Sequence, residues 1–317
     1  MASWLVQAGM TAGALCGALI IDRVVGEPPA WLHPVVWMGR YLGVLGPRMT
    51  RWRPAAAFAG GAIAWCAGAL VIAGLAVAGV DLLVRLPPWL SMPILALLLK
   101  PLLAWRMLHD EVAAVESALQ RSLVEGRARL QSLVSRDVSA LDATQVRESA
   151  IESMAENLND SVVAPLFWFM VAGLPGAAVY RFANTADAMW GYRGRYEWAG
   201  KWAARADDVL SWVPARLTAL LLCLGTARVP PFASLRRLAR ATPSPNGGWP
   251  MGAIALLLGV HLGKPGVYVL NADGADCEAV HTRQALAWGH RAVVLAAVLG
   301  VAAIMTTGAM QAMASRS

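Results

Sequence analysis

Residues 55–80 read AAAFAGGAIAWCAGALVIAGLAVAGV, a run of 26 residues without one charged side chain. A helix rises about 1.5 Å per residue, so this run can cross about 30 Å of hydrocarbon even when it is tilted. The whole chain has a matching composition, since 57% of its 317 residues are hydrophobic and only 15% are charged. Soluble proteins carry roughly 25% charged residues. The sequence therefore predicts an integral membrane protein.

Three further segments are long and apolar enough to be predicted as membrane spans. Residues 4–21 and 292–313 are nearly free of strongly polar side chains, whereas residues 89–105 carry Lys100 and two prolines. Lipid tolerates such residues only where neighbouring helices or water satisfy the charge and the freed backbone groups. No repeat or linker divides the chain. We therefore expect an all-α, polytopic membrane helical bundle that forms a single integral domain over residues 1–317.

The placement of basic residues predicts the orientation of the spans. The net charge is +7, and five arginines crowd residues 22–54, whereas residues 81–88 hold a single arginine. Because short cytoplasmic loops are enriched in Lys and Arg, we expect residues 22–54 to be a cytoplasmic connection. Two more crossings then return the chain to the cytoplasm. There, residues 106–161 are predicted to form an amphipathic, cytoplasmic helical region.

The remaining apolar segments are short or interrupted. Residues 162–180 contain prolines and a Gly-Leu-Pro-Gly sequence, residues 209–225 contain a proline and an arginine, and residues 251–262 number only 12. A simple crossing by residues 162–180 would place the arginine-rich residues 181–205 outside, against the charge rule. A re-entrant or protein-buried hairpin avoids this conflict, and ordinary kinked spans are the alternative. Broken helices at membrane depth are tolerated only where they pack on protein or line a wet cavity, and such cavities are usually where the functional site lies.

Residues 152–161, ESMAENLNDS, lie just before the first interrupted segment. Asp142 and Gln145 have the spacing of a capping box for a helix that runs to about residue 161. At about 100° per residue, one face of this helix is polar and the other apolar. The polar face carries Ser149, Glu152, Ser153, Glu156, Asn157 and Asp160. No Lys or Arg lies between 148 and 161 to pair with these acids, which favours a metal or a cationic partner over a solvated surface.

Two later segments alternate acidic and basic residues. Residues 184–196 read NTADAMWGYRGRY, and residues 201–217 read KWAARADDVLSWVPARL. Carboxylates can hold Mg²⁺, and arginines can form paired hydrogen bonds with a phosphate. Each segment alone is a weak signal, because surface loops often contain such residues. Beside short apolar segments, the two together favour a phosphorylated substrate.

The ordered motifs of the chain resemble the cobinamide-phosphate synthase family of adenosylcobalamin biosynthesis. The resemblance covers residues 22 to about 268 and rests on the strings DRVVGEPPAWLHPVVWMGR, IESMAENLNDSVVAPLFW, GLPGAAVYRFANTADAMWGYR, ARADDVLSWVPARL and SPNGGWPMGAIALLLGVHLGKPGVY. It implies a multi-pass enzyme of the cell inner membrane with its active site facing the cytoplasm. The implied reaction joins (R)-1-amino-2-propanol, or its O-phosphate, to a propionate side chain of adenosylcobyric acid. Since amide formation in water is uphill, the resemblance also implies ATP and Mg²⁺, with an acyl phosphate as the activated species.

The residues and the resemblance together give a candidate site. The candidate catalytic residues are Glu152, Glu156, Asn157, Asn184 and His33. The candidate substrate- or phosphate-binding residues are Arg40, Arg136, Arg193, Arg205, Arg216, Asn246 and Lys264. The candidate metal ligands are Glu156, Asp160, Asp187, Asp207 and Asp208. For His33 the alternative is a structural role, because a histidine in a Leu-His-Pro-Val turn more often bonds to the backbone.

No nucleotide-binding motif is visible, because GVHLGKPG at 259–266 has the wrong spacing for a phosphate-binding loop. The expected partners are the corrinoid substrate, aminopropanol or its phosphate, the lipid bilayer, other cobamide-pathway enzymes and a second copy of the chain in a homo-oligomer. No nucleic-acid partner is expected. Two other function classes stay open: a transporter, which usually has two related halves, and a non-catalytic membrane scaffold of the cobamide assembly pathway.

Overall fold

The computed structural model describes residues 2–192 and 194–315, and 76% of it is helical. In chain order the helices are α1 (Ala2–Val24), α2 (Pro34–Met49), α3 (Pro54–Val84), α4 (Pro88–Leu99), α5 (Trp105–Arg121), α6 (Leu123–Leu130), α7 (Ala143–Leu158), α8 (Ala164–Trp190), α9 (Lys201–Leu210), α10 (Trp212–Thr226), α11 (Phe232–Ala239), α12 (Gly248–Leu258) and α13 (Ala279–Ala314). A short 3₁₀ helix, Lys100–Leu102, follows α4, and a π-helical turn, Asn159–Val163, joins α7 to α8. Strands β1 (Leu262–Lys264) and β2 (Tyr268–Leu270) pair as an antiparallel hairpin. The predicted all-α class is confirmed.

Five helical stretches in the described part of the chain are long and apolar enough to cross a membrane. They are Trp4–Val24, Pro54–Val84, Pro88–Arg121, Ala143–Trp190 and Ala279–Ala314. Each of the four predicted spans lies within one of these stretches. Helices α9 and α10 give a sixth candidate, which is bent by 46°. The predicted polytopic bundle with broken helices is therefore confirmed by length and composition.

Helix α3 shows why a bilayer suits this fold. Its side chains of Ile63, Leu70 and Leu75 are 69%, 73% and 70% exposed. Leaving one large aliphatic side chain in water forgoes about 1.5–3 kcal/mol of burial energy. Lipid tails are as apolar as leucine, so the same surface carries no such penalty in a membrane. The exposed face of α3 is thus a lipid-facing surface.

The interrupted segments have a local backbone explanation. Within α8, Ala172 and Gly173 leave the helical conformation, and Gly173 has φ 64°. Only glycine adopts such a φ readily, and Pro175 removes a further backbone donor just beyond it. Residues 162–180 therefore form a kinked helix. Within residues 251–262 the helix ends at Leu258, and Leu262 is already the first residue of β1.

Two polar regions between the apolar segments are largely helical. Residues 34–49 form α2 inside the predicted cytoplasmic connection, and Pro34 suits its first turn because an N–H is not needed there. Residues 106–161 contain α5, α6 and α7, as the predicted helical region requires. The cytoplasmic position of both regions stays a prediction.

The chain divides into two compact units. The first unit comprises Met1–Ala104, Ala164–Leu210 and Ala297–Ser317, and the second comprises Trp105–Val163 and Ser211–Ala296. Neither unit is one continuous stretch of sequence, because the chain passes between them at four points. The single domain over residues 1–317 stays a prediction.

The first unit is packed through small residues that let helices approach closely. A Cβ on Gly46 of α2 would collide with the indole of Trp190. That indole is fully buried and donates to the Leu42 carbonyl oxygen at 3.2 Å. Gly68 of α3 is covered in the same way by Phe182 of α8. Small residues at helix contacts are typical of membrane bundles, where close packing replaces the hydrophobic effect.

The second unit is organised around α7. This helix packs against α5, α6, α12 and β1. Its apolar face is completely buried through Ile151, Met154 and Leu158. The apolar stripe predicted from the periodicity is therefore the side on which α7 docks.

Candidate active site

Helix α7 begins with the capping box that the sequence predicts. The Asp142 carboxylate accepts from the Gln145 N–H at 2.8 Å, and the Gln145 side chain accepts from the Asp142 N–H at 3.0 Å. The helix then carries Glu148 and Glu152 into the interior, where they are 3% and 5% exposed. Buried carboxylates are rare unless they are paired, so these two acids need partners from elsewhere in the fold.

Glu152 obtains its cation from the segment before α7. The guanidinium of Arg136 lies 3.6 Å from Glu152 Oε2 and donates to Ser149 Oγ at 2.6 Å. Tyr268, on β2, also lies beside Glu152, and burial together with the Glu152 charge raises the pKa of the phenol well above its usual range. Tyr268 is therefore a neutral hydrogen-bond donor at physiological pH.

Two more predicted residues join this neighbourhood. The positive charge of Lys264, on β1, acts on Glu152, and the negative charge of Glu156 acts on Tyr268. Both Lys264 and Glu156 are exposed, whereas Glu152 is buried. We call Arg136, Glu152, Glu156, Lys264 and Tyr268 the α7 site. Four of its five members were predicted as site residues, but sequence reasoning gave Tyr268 no role.

A second layer of ion pairs holds α7 in place, and sequence reasoning missed it. His261 Nε2 lies 3.0 Å from Glu148 Oε1. Arg147 donates to both oxygens of Glu116, at 2.9 and 3.1 Å. The partners are Glu116 on α5 and His261 immediately before β1, both far away in sequence. The only sequence signal for these pairs would have been the presence of two charged residues, Arg147 and Glu148, on a helix that is buried.

Arg216 and Asn246, both predicted to bind substrate or phosphate, lie together. Arg216 Nη1 donates to Asn246 Oδ1 at 3.1 Å and to the Trp212 carbonyl oxygen. Its guanidinium also lies over the Trp212 and Trp249 rings, at 4.2 and 4.8 Å from their centroids. Contact with two indole rings restrains the guanidinium, which suits recognition of a planar anion.

The turn that carries Asn246 also reaches the α7 site. A Cβ on Gly247 would come within 3.2 Å of Glu156 Oε1. Glu156 is therefore close to the turn at residues 244–247, and its charge also acts on Tyr268. This places Arg216 and Asn246 next to the α7 site within the same unit.

The end of the acidic helix departs from the predicted geometry. Asn157 donates to the Ser153 carbonyl oxygen at 2.9 Å, so its amide is bonded within α7. The π-helical turn then begins, where Asn159 donates to Asp160 Oδ1 at 2.7 Å and accepts from Thr218 at 3.1 Å. π-helical turns break the regular spacing of side chains and are frequent at functional sites.

The other predicted residues that the structure describes belong to the first unit. Asn184 accepts from Arg181 at 3.4 Å, and Arg205 lies near enough to Asp208 to act on its charge. The remaining candidates are Asp187 at the end of α8, half-buried Asp207 on α9, exposed Arg40 on α2, and Arg193, which lies outside the described residues. Their functional roles stay predictions.

His33 has the backbone contact expected of its structural alternative. It is the N-cap of α2, where Nδ1 accepts from the Val35 N–H at 3.3 Å, and Nε2 lies 3.1 Å from Glu27 Oε2. Glu27 also lies 2.8 Å from the Nζ of buried Lys100, which is 3.5 Å from Asp22. Burial raises the pKa of Glu27, but His33 and Lys100 lower it more, so the net pKa lies below its usual value.

The arrangement of the His, Cys, Asp and Glu side chains limits how Mg²⁺ can be bound. Among residues 2–192 and 194–315, no group of three or more His, Cys, Asp or Glu side chains is arranged around one point. The described residues therefore contain no such ready-made set of three protein ligands. Mg²⁺ commonly binds through one or two carboxylates together with water and substrate phosphates, and the Glu156 and Asp160 carboxylates have the donor chemistry for this mode.

Comparison with known proteins identifies the family. Residues 15–293 match the family described as CobD/Cbib protein. Similar curated proteins are the "Probable cobalamin biosynthesis protein CobD" of Pyrococcus abyssi (strain GE5 / Orsay), which is 46% identical over 79% of this chain and 82% of the relative, and that of Thermococcus kodakarensis, which is 41% identical over 92% and 95%. The "Cobalamin biosynthesis protein CobD" of Brucella anthropi is 37% identical over 90% of this chain and 95% of the relative. No solved structure matches the chain. Because the family match covers most of its length and these relatives are 37–46% identical to it, this chain belongs to the CobD/Cbib protein family.

Proposed function

We propose that the protein is an enzyme of cobalamin biosynthesis that forms an amide bond. Its substrates are adenosylcobyric acid and (R)-1-amino-2-propanol or its O-phosphate, and its product is adenosylcobinamide or adenosylcobinamide phosphate. Family membership supports the pathway, since the curated relatives are named as cobalamin biosynthesis proteins. The observation that carries the reaction is the α7 site, where buried and exposed acids meet two cations and a neutral phenol.

The cations of the α7 site suit the anionic groups of these substrates. A propionate side chain and a phosphate monoester are both oxyanions, for which guanidinium and ammonium groups are the usual partners. Arg136 lies at the buried end of the site and Lys264 at its exposed end. Arg216, whose guanidinium lies over two indole rings, would bind a third oxyanion or the edge of the corrin substrate.

The acids of the site suit the amine. An alkylammonium must lose a proton before its nitrogen can attack a carboxyl carbon, and a carboxylate within hydrogen-bond reach can accept that proton. Glu156 is accessible to a substrate from solvent, whereas Glu152 is held by Arg136 in the interior. The Tyr268 phenol can donate a hydrogen bond to an oxygen that gains negative charge during the attack.

The uphill reaction requires activation. ATP would supply the phosphoryl group that makes the carboxyl oxygen a leaving group, and Mg²⁺ would accompany its phosphates. Glu156 and Asp160 are the residues of the second unit that we propose for holding the ion, with Lys264 beside the phosphates. We also propose that the protein lies in the cell inner membrane and that the α7 site opens to the cytoplasm.

An assay in proteoliposomes tests the proposal. Purified protein would be mixed with adenosylcobyric acid, aminopropanol phosphate, ATP and Mg²⁺, and the amide product would be measured by mass spectrometry. We expect turnover by the wild type, and a loss of about 100-fold or more in Glu156→Gln, which removes the proposed proton acceptor, and in Arg136→Met, which removes a proposed oxyanion partner. Arg129→Met is the matched control, because Arg129 forms an exposed ion pair with Glu111 outside the site.

The outcomes separate the proposal from its alternatives. A folded wild type without amide product would overturn the enzyme, and unchanged turnover in Glu156→Gln and Arg136→Met would overturn the α7 site as its active site. A scaffold would bind pathway enzymes and tolerate both substitutions, and a transporter would move a corrinoid without forming the amide. If the reaction proceeds without ATP, only the activation step is wrong.

A further inference from the structure

Helix α11 is short, basic on one side and apolar on the other. Leu235, Leu238 and Ala239 are buried, and α11 packs on α12 through them. The opposite side presents three exposed arginines, Arg236, Arg237 and Arg240. The apolar side is thus accounted for by packing within the unit, whereas the basic side is turned outward.

Acidic residues are absent from the sequence on both sides of α11. The sequence from Val209 to Ala272 contains no Asp or Glu, and the ion pairs of the described residues do not include any of the three. Three like charges within five residues repel one another. An external polyanionic partner would relieve that repulsion.

The position of α11 and its exposed aromatic residue indicate which polyanion. The helix lies in sequence between α10, which belongs to a candidate span, and α12, a shorter apolar helix. Phe232 at its start is 67% exposed and lies 6.1 Å from the Trp249 ring. Aromatic side chains beside arginines at the end of apolar helices are typical of the membrane interface, where the ring enters the headgroup region.

We infer that α11 is a binding surface for anionic phospholipid headgroups, with Arg236, Arg237 and Arg240 on the phosphates and Phe232 inserted between the lipids. Basic residues near an anionic leaflet gain electrostatic attraction that zwitterionic lipids do not provide. The surface would select phosphatidylglycerol or cardiolipin over phosphatidylcholine. This inference uses none of the α7 site residues and does not depend on the amide-forming reaction.

Native mass spectrometry of the delipidated full chain tests the inference. The protein in detergent would be titrated with phosphatidylglycerol or phosphatidylcholine, and the number of retained lipids would be counted. We expect tighter binding of phosphatidylglycerol by the wild type. In Arg236→Gln/Arg237→Gln the affinity for phosphatidylglycerol should fall roughly fivefold for each arginine removed, with little change for phosphatidylcholine.

The control removes the same charge elsewhere. Arg121→Gln/Arg129→Gln neutralises two exposed arginines of α5 and α6 that are paired with Glu125 and Glu111. Equal losses in both double variants, or equal binding of the two lipids by the wild type, would overturn the inference. Displacement of phosphatidylglycerol by millimolar inorganic phosphate would do so as well, because it would reveal a site for free phosphate. Phe232→Ala, which keeps every charge, should weaken both lipids while preserving the preference for phosphatidylglycerol.

Discussion

Replacing Lys100 by methionine should destabilise the protein strongly. Lys100 is 3% exposed, and its Nζ lies 2.8 Å from Glu27 Oε2 and 3.5 Å from Asp22 Oδ1. Asp22 is itself only 1% exposed. Methionine keeps most of the volume of the lysine stem, so the substitution removes the charge with little change in packing.

The distances set the size of the effect. At an effective dielectric of about 20, unit charges at 2.8 Å and 3.5 Å attract by about 6 and about 5 kcal/mol. Much of this attraction offsets the cost of taking the groups out of water, so the net worth of the cluster is smaller. Removing one partner of a buried pair nevertheless costs about 3–5 kcal/mol, because the other charge stays buried without compensation. We expect a loss in that range.

Unfolding by sodium dodecyl sulfate in mixed micelles would measure the free energy of unfolding. The variants are Lys100→Met, Asp22→Asn and the double variant, with Arg85→Met as an exposed control that should change stability by less than about 0.5 kcal/mol. The loss of unfolding free energy in the double variant should be smaller than the sum of the losses in the two single variants, because the double variant no longer buries the Asp22 charge. A Lys100→Met protein as stable as the wild type, or strictly additive effects, would refute this reasoning.

Three further predictions follow from local contacts. Asp142→Ala should lower the free energy of unfolding by about 1 kcal/mol because it removes the cap of α7, whereas Gln145→Glu keeps the capping box and should be nearly neutral in the same unfolding assay. The pKa of Glu27 in the folded protein lies below its usual 4.5. The ionised carboxylate therefore stabilises the fold above pH 4.5, and this stabilisation is lost as the pH falls through the lower folded pKa. Below pH 4.5, the thermal unfolding temperature should depend more steeply on pH in the wild type than in Glu27→Gln. Burial and the Glu148 charge raise the pKa of the Cys277 thiol to about 12, so this thiol should not react with maleimide at pH 7 in the native protein. The native wild type and native Cys277→Ala should therefore take up equal numbers of maleimides, and the numbers should differ by one after denaturation. A difference of one in the native state would contradict this.

Features encoded within a few residues were predictable from the sequence. The capping box of α7 needs only Asp142 and Gln145, and the apolar runs are visible without any knowledge of packing. The kink in α8 also has a local signal, since Gly173 and Pro175 both disfavour a regular helix.

Contacts between distant residues could not be predicted in the same way. Arg136 was expected to bind phosphate, yet its observed partners are Glu152 and Ser149. The pairing of Glu148 with His261 likewise depends on how β1 packs against α7. An amphipathic pattern shows which face of a helix is polar, but the chain elsewhere decides whether that face is solvated or paired in the interior.

The π-helical turn limited the helical projection of the acidic segment. A constant 100° per residue places Asp160 on the same face as Glu152. The turn over Asn159–Val163 changes this spacing, and it directs Asn159 toward Thr218 in the interior. The position of Asp160 relative to the earlier acids could therefore not be obtained from periodicity alone.

The alternation of the chain between its two units constrains how the protein can be divided experimentally. A single cut anywhere between Trp105 and Ala296 would leave both units incomplete, because each unit then draws on segments from both sides of the cut. Truncated fragments are thus poor reagents for locating activity. Two co-expressed fragments would have to associate in the bilayer before either unit could be completed.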